Sequence, residues 1–232
     1  MKKIGLVGGL GPASTIEYYR GLTEKCKTGQ GTPAYPEIVI DSVNMNEHVC
    51  ALQNGDYEKL GDLLLKSLQN LKAAGAEVAA ITANTEHIIW DMVSERFPLP
   101  VVSIVDAAAD EIKRRGYQRI LILGTEFTMK SGLYEAALKK NGLTAVVPTE
   151  KDIVAIGKLI YPNLENGIVI PEDKCRIIEL AETYISDCDA DAVLLGCTEL
   201  PLAITPGDIS VPTLNTTELH INEIYAKAQQ DE

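Results

Sequence analysis

The sequence predicts an α/β chain of two pseudo-symmetric lobes, each a mostly parallel sheet flanked by helices, with the functional site in the interlobe cleft. Three observations predict it. Short apolar runs alternate with helix-length periodic segments, the pattern of βα units. Two of these units open alike: Ile4-Gly-Leu-Val-Gly-Gly resembles Ile120-Leu-Ile-Leu-Gly-Thr. About 75 residues after each opening, a second apolar strand runs into a short polar motif, Ala83-Asn-Thr in one half and Cys197-Thr-Glu in the other. Two such lobes facing each other would bring the strand ends to one cleft, because α/β sheets bind ligands beyond the carboxyl ends of their strands.

Taken in order, Lys3 to Val7 is a first strand that breaks at Gly8-Gly-Leu-Gly-Pro12. A helix follows through about Cys26. Pro12 suits a first helical turn, and Ser14 or Thr15 can cap it. The glycines, Gly11 among them, let backbone amides approach a carboxylate or phosphate. The spacing is not that of a dinucleotide-binding loop. Gly29 to Tyr35 reads as a loop, and Glu37 to Val43 as a second strand. The strand runs into polar residues ending at His48, a pocket candidate as well as an ordinary loop histidine. Asp56 to Ala74 is a periodic helix with an apolar stripe of Leu60, Leu63, Leu64, Leu68 and Leu71, closed by Gly75. Glu77 to Thr82 is a third strand, after which Asn84 and Thr85 can cap a helix or bind a carboxylate.

Pro98-Leu-Pro100 marks a domain crossing. The expected division is residues 1–98 with 210–232 in one lobe and 99–209 in the other. Val101 to Ile104 is a short strand, followed by a helix through Arg115. Arg119 to Leu123 is a strand ending at Gly124-Thr125, with further hydroxyls at Thr128 and Ser131. A short strand near Ala145 to Pro148, a helix through Tyr161 and a long helix from Pro171 to about Ser186 follow. Ala192 to Leu195 is a buried strand, broken at Gly196 and followed by Cys197, Thr198 and Glu199. Val211 to Leu214 is a last strand, and Asn215 to Gln230 a closing helix.

Composition narrows the function. A net charge of −12 argues against nucleic acid or an anionic membrane surface as partner, since phosphate binding needs a basic face. An anionic small substrate is still allowed, because a local site can differ from the total. The five cysteines, Cys26, Cys50, Cys175, Cys188 and Cys197, lack metal-site spacing and an even count. They suggest neither a disulfide framework nor a zinc site, and a reducing, cytoplasmic location. No apolar run approaches the roughly 20 residues that span a bilayer, and the apolar start is too short for a signal peptide.

Cys197 is the group with the clearest chemistry. A thiol after a strand-ending glycine and before a helix N-terminus is expected to have a lowered pKa, because the helix end carries partial positive charge. A buried structural cysteine is the alternative. Glu199 reads either as a partner of Cys197 or of a substrate amino group, or as a charge in a first helical turn.

Four motifs in order, Gly8-Gly-Leu-Gly-Pro12, Asn84-Thr-Glu-His87, Gly124-Thr125 with Thr128, Ser131 and Tyr134, and Gly196-Cys-Thr-Glu199, resemble the aspartate/glutamate racemase superfamily. The likeness covers nearly the whole chain. It implies two α/β lobes, usually a homodimer, no pyridoxal phosphate and no metal, and a thiol on each side of the substrate α-carbon. One thiol removes the α-proton and the other returns one. The resemblance implies Cys197 as one acid/base and Gly11, His48, Asn84, Thr85, Thr125, Thr198 and Glu199 as substrate-binding residues.

The chain departs from that pattern where the chemistry lies. The first family cysteine belongs at position 83, and here it is Ala83, which carries no proton. Thr82 is adjacent, but strand alternation points it the other way. Three explanations fit: a natural one-cysteine member, a chain whose catalytic residue has been replaced, or one-sided chemistry such as decarboxylation, which a single thiol donor completes. A second departure concerns recognition. His48 holds the place of a cation that grips a side-chain carboxylate in aspartate-specific relatives, and a later lysine is replaced near Glu165. Fewer fixed cations mean weaker recognition of a second carboxylate, so a racemase reading carries more weight than an aspartate reading, and racemisation of an amino acid of the aspartate/glutamate-like kind is the leading expectation. A single-cysteine lyase and a non-catalytic small-carboxylate-binding protein are its rivals.

Overall fold

The structure, a computed structural model, describes residues 1–26 and 34–230 of the chain; the side chain of Glu165 lies outside that description. The expected loop at Gly29 to Tyr35 falls largely outside it too. The described chain forms two compact units, Met1–Ile104 with His220–Glu232, and Val105–Leu219.

The first unit opens with β1 (Ile4–Gly8), every residue of which is buried. α1 (Pro12–Glu24) follows, started by Gly11 at φ 77° with no side-chain cap. The expected capping residues do something else. Ser14 donates to the Thr82 carbonyl, 2.7 Å away, and the Thr15 hydroxyl accepts from Gly9 N–H at 2.9 Å. Gly9 itself has φ 84°, and a Cβ there would lie 2.8 Å from the Val43 carbonyl oxygen, so only glycine fits this turn. β2 (Ile38–Ser42) leads into α2 (Met45–Gln53), capped by Asn44, whose side chain accepts from Asn46 N–H. α3 (Tyr57–Ala73) is capped by Asp56 and buries Leu60, Leu64, Leu65, Leu68 and Leu71. Leu65 replaces the expected Leu63 in the fully buried stripe, and Leu63 is only half-buried. β3 (Val78–Ile81), a 3-10 segment (Thr85–Ile89), α4 (Trp90–Val93), a second 3-10 turn (Ser94–Arg96) and β4 (Val101–Val102) complete this run.

α5 (Ile104–Arg115) carries the chain into the second unit. There β5 (Arg119–Leu123) is followed by α6 (Glu126–Lys130), α7 (Leu133–Lys140) and β6 (Thr144–Val146). Next come α8 (Glu150–Ile160), a 3-10 turn (Leu164–Asn166) and α9 (Pro171–Cys188). β7 (Ala192–Leu195), α10 (Leu200–Ala203) and β8 (Thr213–Asn215) end the unit. α11 (Thr216–Gln229) returns the chain to the first unit, where Ile221, Ile224 and Ala228 pack with Ile4, Leu6, Tyr18 and Leu22.

Both sheets are four-stranded and wholly parallel, with orders β2-β1-β3-β4 and β6-β5-β7-β8. The repeat expected from the sequence is therefore a repeat of strand order. In each sheet the order reverses between the first strand and the one that follows the edge. Crevices open beyond the carboxyl ends of strands at such a switch point. It lies between β1 and β3 in the first unit and between β5 and β7 in the second.

The division differs from the boundaries expected at 98/99 and 209/210. β4 is hydrogen-bonded to β3 and β8 to β7, so each short strand stays with the sheet it completes. The crossings fall after Ile104 and after Leu219 instead.

Candidate functional site

The switch point of the first unit gathers Gly8 to Gly11 after β1 and Thr82 to His87 after β3. Thr82 is fully buried, and its hydroxyl donates to the Val7 carbonyl at 3.0 Å and lies 3.2 Å from the Thr15 hydroxyl. That hydroxyl is committed to the framework, as strand alternation predicted. Ala83 follows, buried, with a methyl group where a proton carrier is expected. Asn84 begins the 3-10 segment in an αR conformation without capping it through its side chain. Thr85 is half-buried beside it.

His87 locks this corner. Its Nε2 accepts from Ile104 N–H at 3.3 Å, which puts the proton on Nδ1, and Nδ1 donates to the Ala83 carbonyl at 3.0 Å. Burial holds His87 neutral, with its pKa lowered to about 4. The ring stacks on Trp90 at 5.1 Å and meets His220 edge-on. His220 donates from Nε2 to the Val102 carbonyl and accepts from Tyr18 Oη through Nδ1 at 2.7 Å; burial lowers its pKa to about 3. Between Thr85 and His87 sits Glu86, which sequence reasoning did not single out. It is 8% exposed, its Oε2 has no hydrogen-bond partner, and burial pushes its pKa up to about 7. An acidic residue in a polar stretch reads as solvated; only the three-dimensional packing reveals that it is not.

His48 lies elsewhere in this unit than the loop its sequence context suggested. It sits inside α2, 2% exposed, and its pKa is lowered by burial against a smaller opposing pull from Glu47. With Asp41, Glu47, Lys66, Ser67 and Asn70 it lines a cavity of about 190 Å³ between β2, α2 and α3. Gly11, Asn84 and Thr85 do not line that cavity.

The second unit equips its switch point differently. Cys197 follows β7 and Gly196, 4% exposed. Its Sγ donates to Glu199 Oε2 at 2.7 Å, and the Thr198 hydroxyl donates to Glu199 Oε1 at 2.6 Å. Both carboxylate oxygens of Glu199 are thus turned back on its two predecessors. The thiol pKa is raised, chiefly by burial and then by the charge and hydrogen bond of Glu199. This overturns the lowered pKa expected from a helix N-terminus. α10 is a single turn, Leu200–Ala203, too short to build an appreciable dipole, while a carboxylate lies in contact with the sulfur. Cys197 therefore rests as a protonated thiol whose proton is shared toward a carboxylate.

The turn after β5 supports this corner. Gly124 leaves room for Thr128, since a Cβ there would lie 3.1 Å from the Thr128 side chain. The Thr125 hydroxyl caps α6 by accepting from Thr128 N–H at 3.2 Å, and lies 3.0 Å from the Thr128 hydroxyl. Tyr134 is buried and hydrogen-bonds Thr216, whose hydroxyl donates to the Leu195 carbonyl at 2.9 Å. A cavity of about 500 Å³ opens beside Thr125 along α8; Cys197, Thr198 and Glu199 are not among its lining residues. The structure thus joins Cys197, Thr198 and Glu199 in one hydrogen-bonded group and places Thr125 in the neighbouring turn.

Two parallel sheets of one strand order, each with a polar motif just past the strand at its switch point, define a repeated α/β protein with strand-end chemistry. The chain belongs to the Asp/Glu/hydantoin racemase family, whose model matches residues 7–224. The broad specificity amino-acid racemase RacX of Bacillus subtilis (strain 168) is 23% identical over 219 residues, covering 92% of this chain and 92% of the relative. The crystal structure of an aspartate racemase homologue from Pyrococcus horikoshii OT3 is 37% identical with a TM-score of 0.88, covering 99% of this chain and 100% of that one. The aspartate racemase of Picrophilus torridus shares the fold at 21% identity and a TM-score of 0.74, covering 99% of this chain and 95% of that one. Among the described residues no helix is long and apolar enough to cross a membrane.

Proposed function

We propose that this chain is an amino-acid racemase that works without a cofactor, with Cys197 as one of its two proton-transfer groups. The observation that carries the reading is the Sγ to Glu199 hydrogen bond at the end of β7, in a member of a racemase family. An amino-acid α-proton is feebly acidic, so its removal needs a base in contact and stabilisation of the planar carbanion. In its resting state Cys197 is a proton donor: the S–H can be delivered to a carbanion. In the reverse direction Glu199 accepts the thiol proton, leaving a thiolate to abstract. Gly11, Asn84, Thr85 and Thr198 supply backbone and side-chain donors for the α-carboxylate, and Thr125 shapes the turn beside β7. His48 is the candidate contact for a substrate side chain. It is neutral there, so recognition of a second carboxylate is weak and an aspartate- or glutamate-like substrate competes with uncharged ones. The same reading includes a cytoplasmic homodimer, checked by sedimentation of the purified protein.

A second reading has one observation in its favour. Ala83 offers a methyl group at the first-unit position, and Cys197 rests protonated. A decarboxylase needs that pair: an apolar surface that disfavours the departing carboxylate, and a single thiol proton donor. The deciding experiment is α-proton exchange in D₂O with L- and D-amino acids, followed by NMR and chiral chromatography. Exchange with inversion supports the racemase. Absence of exchange with every amino acid tested, with turnover of a substituted malonate, would transfer the assignment to the lyase. Absence of both leaves a carboxylate-binding protein.

A further inference from the structure

We infer that the cavity between β2, α2 and α3 is a binding site for a small zwitterion of amino-acid size, with Lys66 and Ser67 meeting its carboxylate and Asp41 and Glu47 its ammonium. The cavity lies wholly within the first unit and includes no residue of the motifs after β1, β3 and β7. The inference goes beyond the racemase reading and does not rest on it.

The first argument is the floor, which is polar and unsatisfied. His48 and Ser67 both line the cavity, and each is 2% exposed. Neither His48 Nδ1 nor the Ser67 hydroxyl has a hydrogen-bond partner among the described residues. Buried polar groups are almost always bonded, because leaving one unpaired opposes folding. His48 comes from α2 and Ser67 from α3, so two separate helices each bring one such group to the same space. Ser67 lies on the buried face of α3 with Leu60, Leu64, Leu68 and Leu71. Packing alone gives its hydroxyl no use there, since an alanine would fill that face without a polar atom to satisfy.

The second argument is the rim, which carries charge of both signs. Asp41 on β2, Glu47 in the first turn of α2 and Lys66 on α3 all line the cavity. Asp41 accepts from Asn70 Nδ2 at 3.3 Å and Glu47 from Asn44 Nδ2 at 3.0 Å, so each carboxylate keeps acceptor capacity to spare. Lys66 forms no ion pair among the described residues, with these carboxylates or any other. Opposite charges that face one cavity without pairing across it suit a ligand that carries both signs. Two carboxylates against one ammonium disfavour a plain anion. Among the described residues no cluster of histidine, cysteine and carboxylate side chains could hold a metal ion, which leaves an organic ammonium as the cation.

Size sets the class. The cavity of about 190 Å³ equals the liquid volume of about six waters, room for an amino acid and too little for a nucleotide.

The test titrates the full-length protein, methyl-labelled, with glycine, β-alanine and γ-aminobutyrate, none of which can be inverted. Propionate and propylamine are the single-charge controls. The methyl signals of Val43 and Leu63, both in the cavity wall, report binding by NMR, and those of Ala83 and Thr85 report the strand end. His48 is left unchanged, because the racemase reading gives it a substrate contact. The inference expects at least one zwitterion to move the Val43 and Leu63 signals saturably. Each control should bind at least about tenfold more weakly, the usual weight of one hydrogen bond to a charged group. Lys66→Met, at an exposed position, and Asp41→Asn should each weaken the zwitterion by a similar factor. Ser67→Ala should weaken it a few-fold without lowering the unfolding midpoint of the unliganded protein, whereas a hydroxyl with a purely structural task would lower it. No saturable shift at Val43 and Leu63 with any zwitterion overturns the inference, as does undiminished binding in both Lys66→Met and Asp41→Asn. A control that binds as tightly as the zwitterions overturns the ligand class. Shifts confined to Ala83 and Thr85 overturn the site and locate the probe at the strand end instead. None of these outcomes alters the racemase reading, which stands or falls by α-proton exchange.

Discussion

The ends of β3 and β7 occupy equivalent places in two sheets of the same strand order, yet they carry different chemistry. After β7 a thiol, a hydroxyl and a carboxylate form one group, Cys197, Thr198 and Glu199, within hydrogen-bonding distance. After β3 the equivalent place holds Ala83, and the titratable groups, Glu86 and His87, come a turn later and are buried. The difference teaches that a repeated backbone plan fixes where a strand end points and leaves open what it delivers. It also divides the molecule electrostatically. All three histidines, His48, His87 and His220, belong to the first unit. The buried thiol and the buried phenol with raised pKa, Cys197 and Tyr134, belong to the second.

The largest test of this asymmetry is chemical. Cys197→Ala should reduce α-proton exchange by about 10²–10⁴-fold, measured by NMR in D₂O, while the far-ultraviolet circular dichroism stays that of the wild type. An unchanged rate would mean that the β7 end is not the equipped one. The next is mechanical. Leu64→Ala empties a fully buried site in the α3 stripe and should lower stability by about 2–5 kcal/mol in urea unfolding. Because Leu64 packs only within the first unit's core, the loss should appear in that unit's transition, reported by Trp90, the single tryptophan.

A third test uses pH. His87 and His220 have folded pKa values of about 4 and about 3, below the ordinary value of 6.5. The unfolded chain binds protons on them first, so their neutral burial favours folding above pH 6.5 and is lost as the pH falls from 6.5 toward 4. Each contributes a slope of up to about 1.4 kcal/mol per pH unit in that window. Glu86 works against them. Its folded pKa of about 7 lies above the ordinary 4.5, so its contribution is present below 4.5 and lost as the pH rises to 7. Two histidines against one carboxyl leave the first unit acid-labile between pH 6.5 and 4.5. In the second unit Glu111 and Asp208 have pKa values lowered to about 2 by their cationic partners, so their contribution is lost only as the pH falls below about 4. Cys197 and Tyr134 have raised values, so the second unit loses stability as the pH climbs above 9. Acid titration followed by Trp90 fluorescence, alongside amide hydrogen exchange of β5 and β7, should show the first unit opening first. Simultaneous opening near pH 5.5 would contradict the division. The smallest expected effect is at Thr125. Thr125→Ala removes the α6 cap and should lower stability by about 1 kcal/mol. A larger loss in substrate affinity than in stability would show that Thr125 also meets substrate.

Much of this was legible in the chain. β5 and β7 have the bounds the apolar runs predicted, and the other strands lie within a few residues of theirs, because buried parallel strands are written as short continuous apolar runs. The motif positions followed, since a strand end fixes where the next three residues lie. Two things escaped. The stripe of α3 includes Leu65 rather than Leu63, a choice that helical period alone cannot make when leucine occupies three consecutive positions. The state of Cys197 is not legible because sequence shows that a helix follows but not that it lasts one turn, nor that Glu199 folds back onto the sulfur. Glu86 escaped for the same reason: desolvation is a property of neighbours distant in sequence.

The two crossings after Ile104 and Leu219 have a consequence for biosynthesis. Residues 105–219 form one uninterrupted segment, so the second unit can complete its sheet as soon as β8 has left the ribosome. The first unit cannot. Its core needs Ile221, Ile224 and Ala228, its buried Tyr18 waits for His220, and Lys2 N–H awaits the Ala228 carbonyl. The segment translated first is therefore finished last, and for most of synthesis its sheet face stays open to chaperones. A carboxyl-terminal truncation that removes α11 should spare the inserted unit and leave the earlier-made one incomplete.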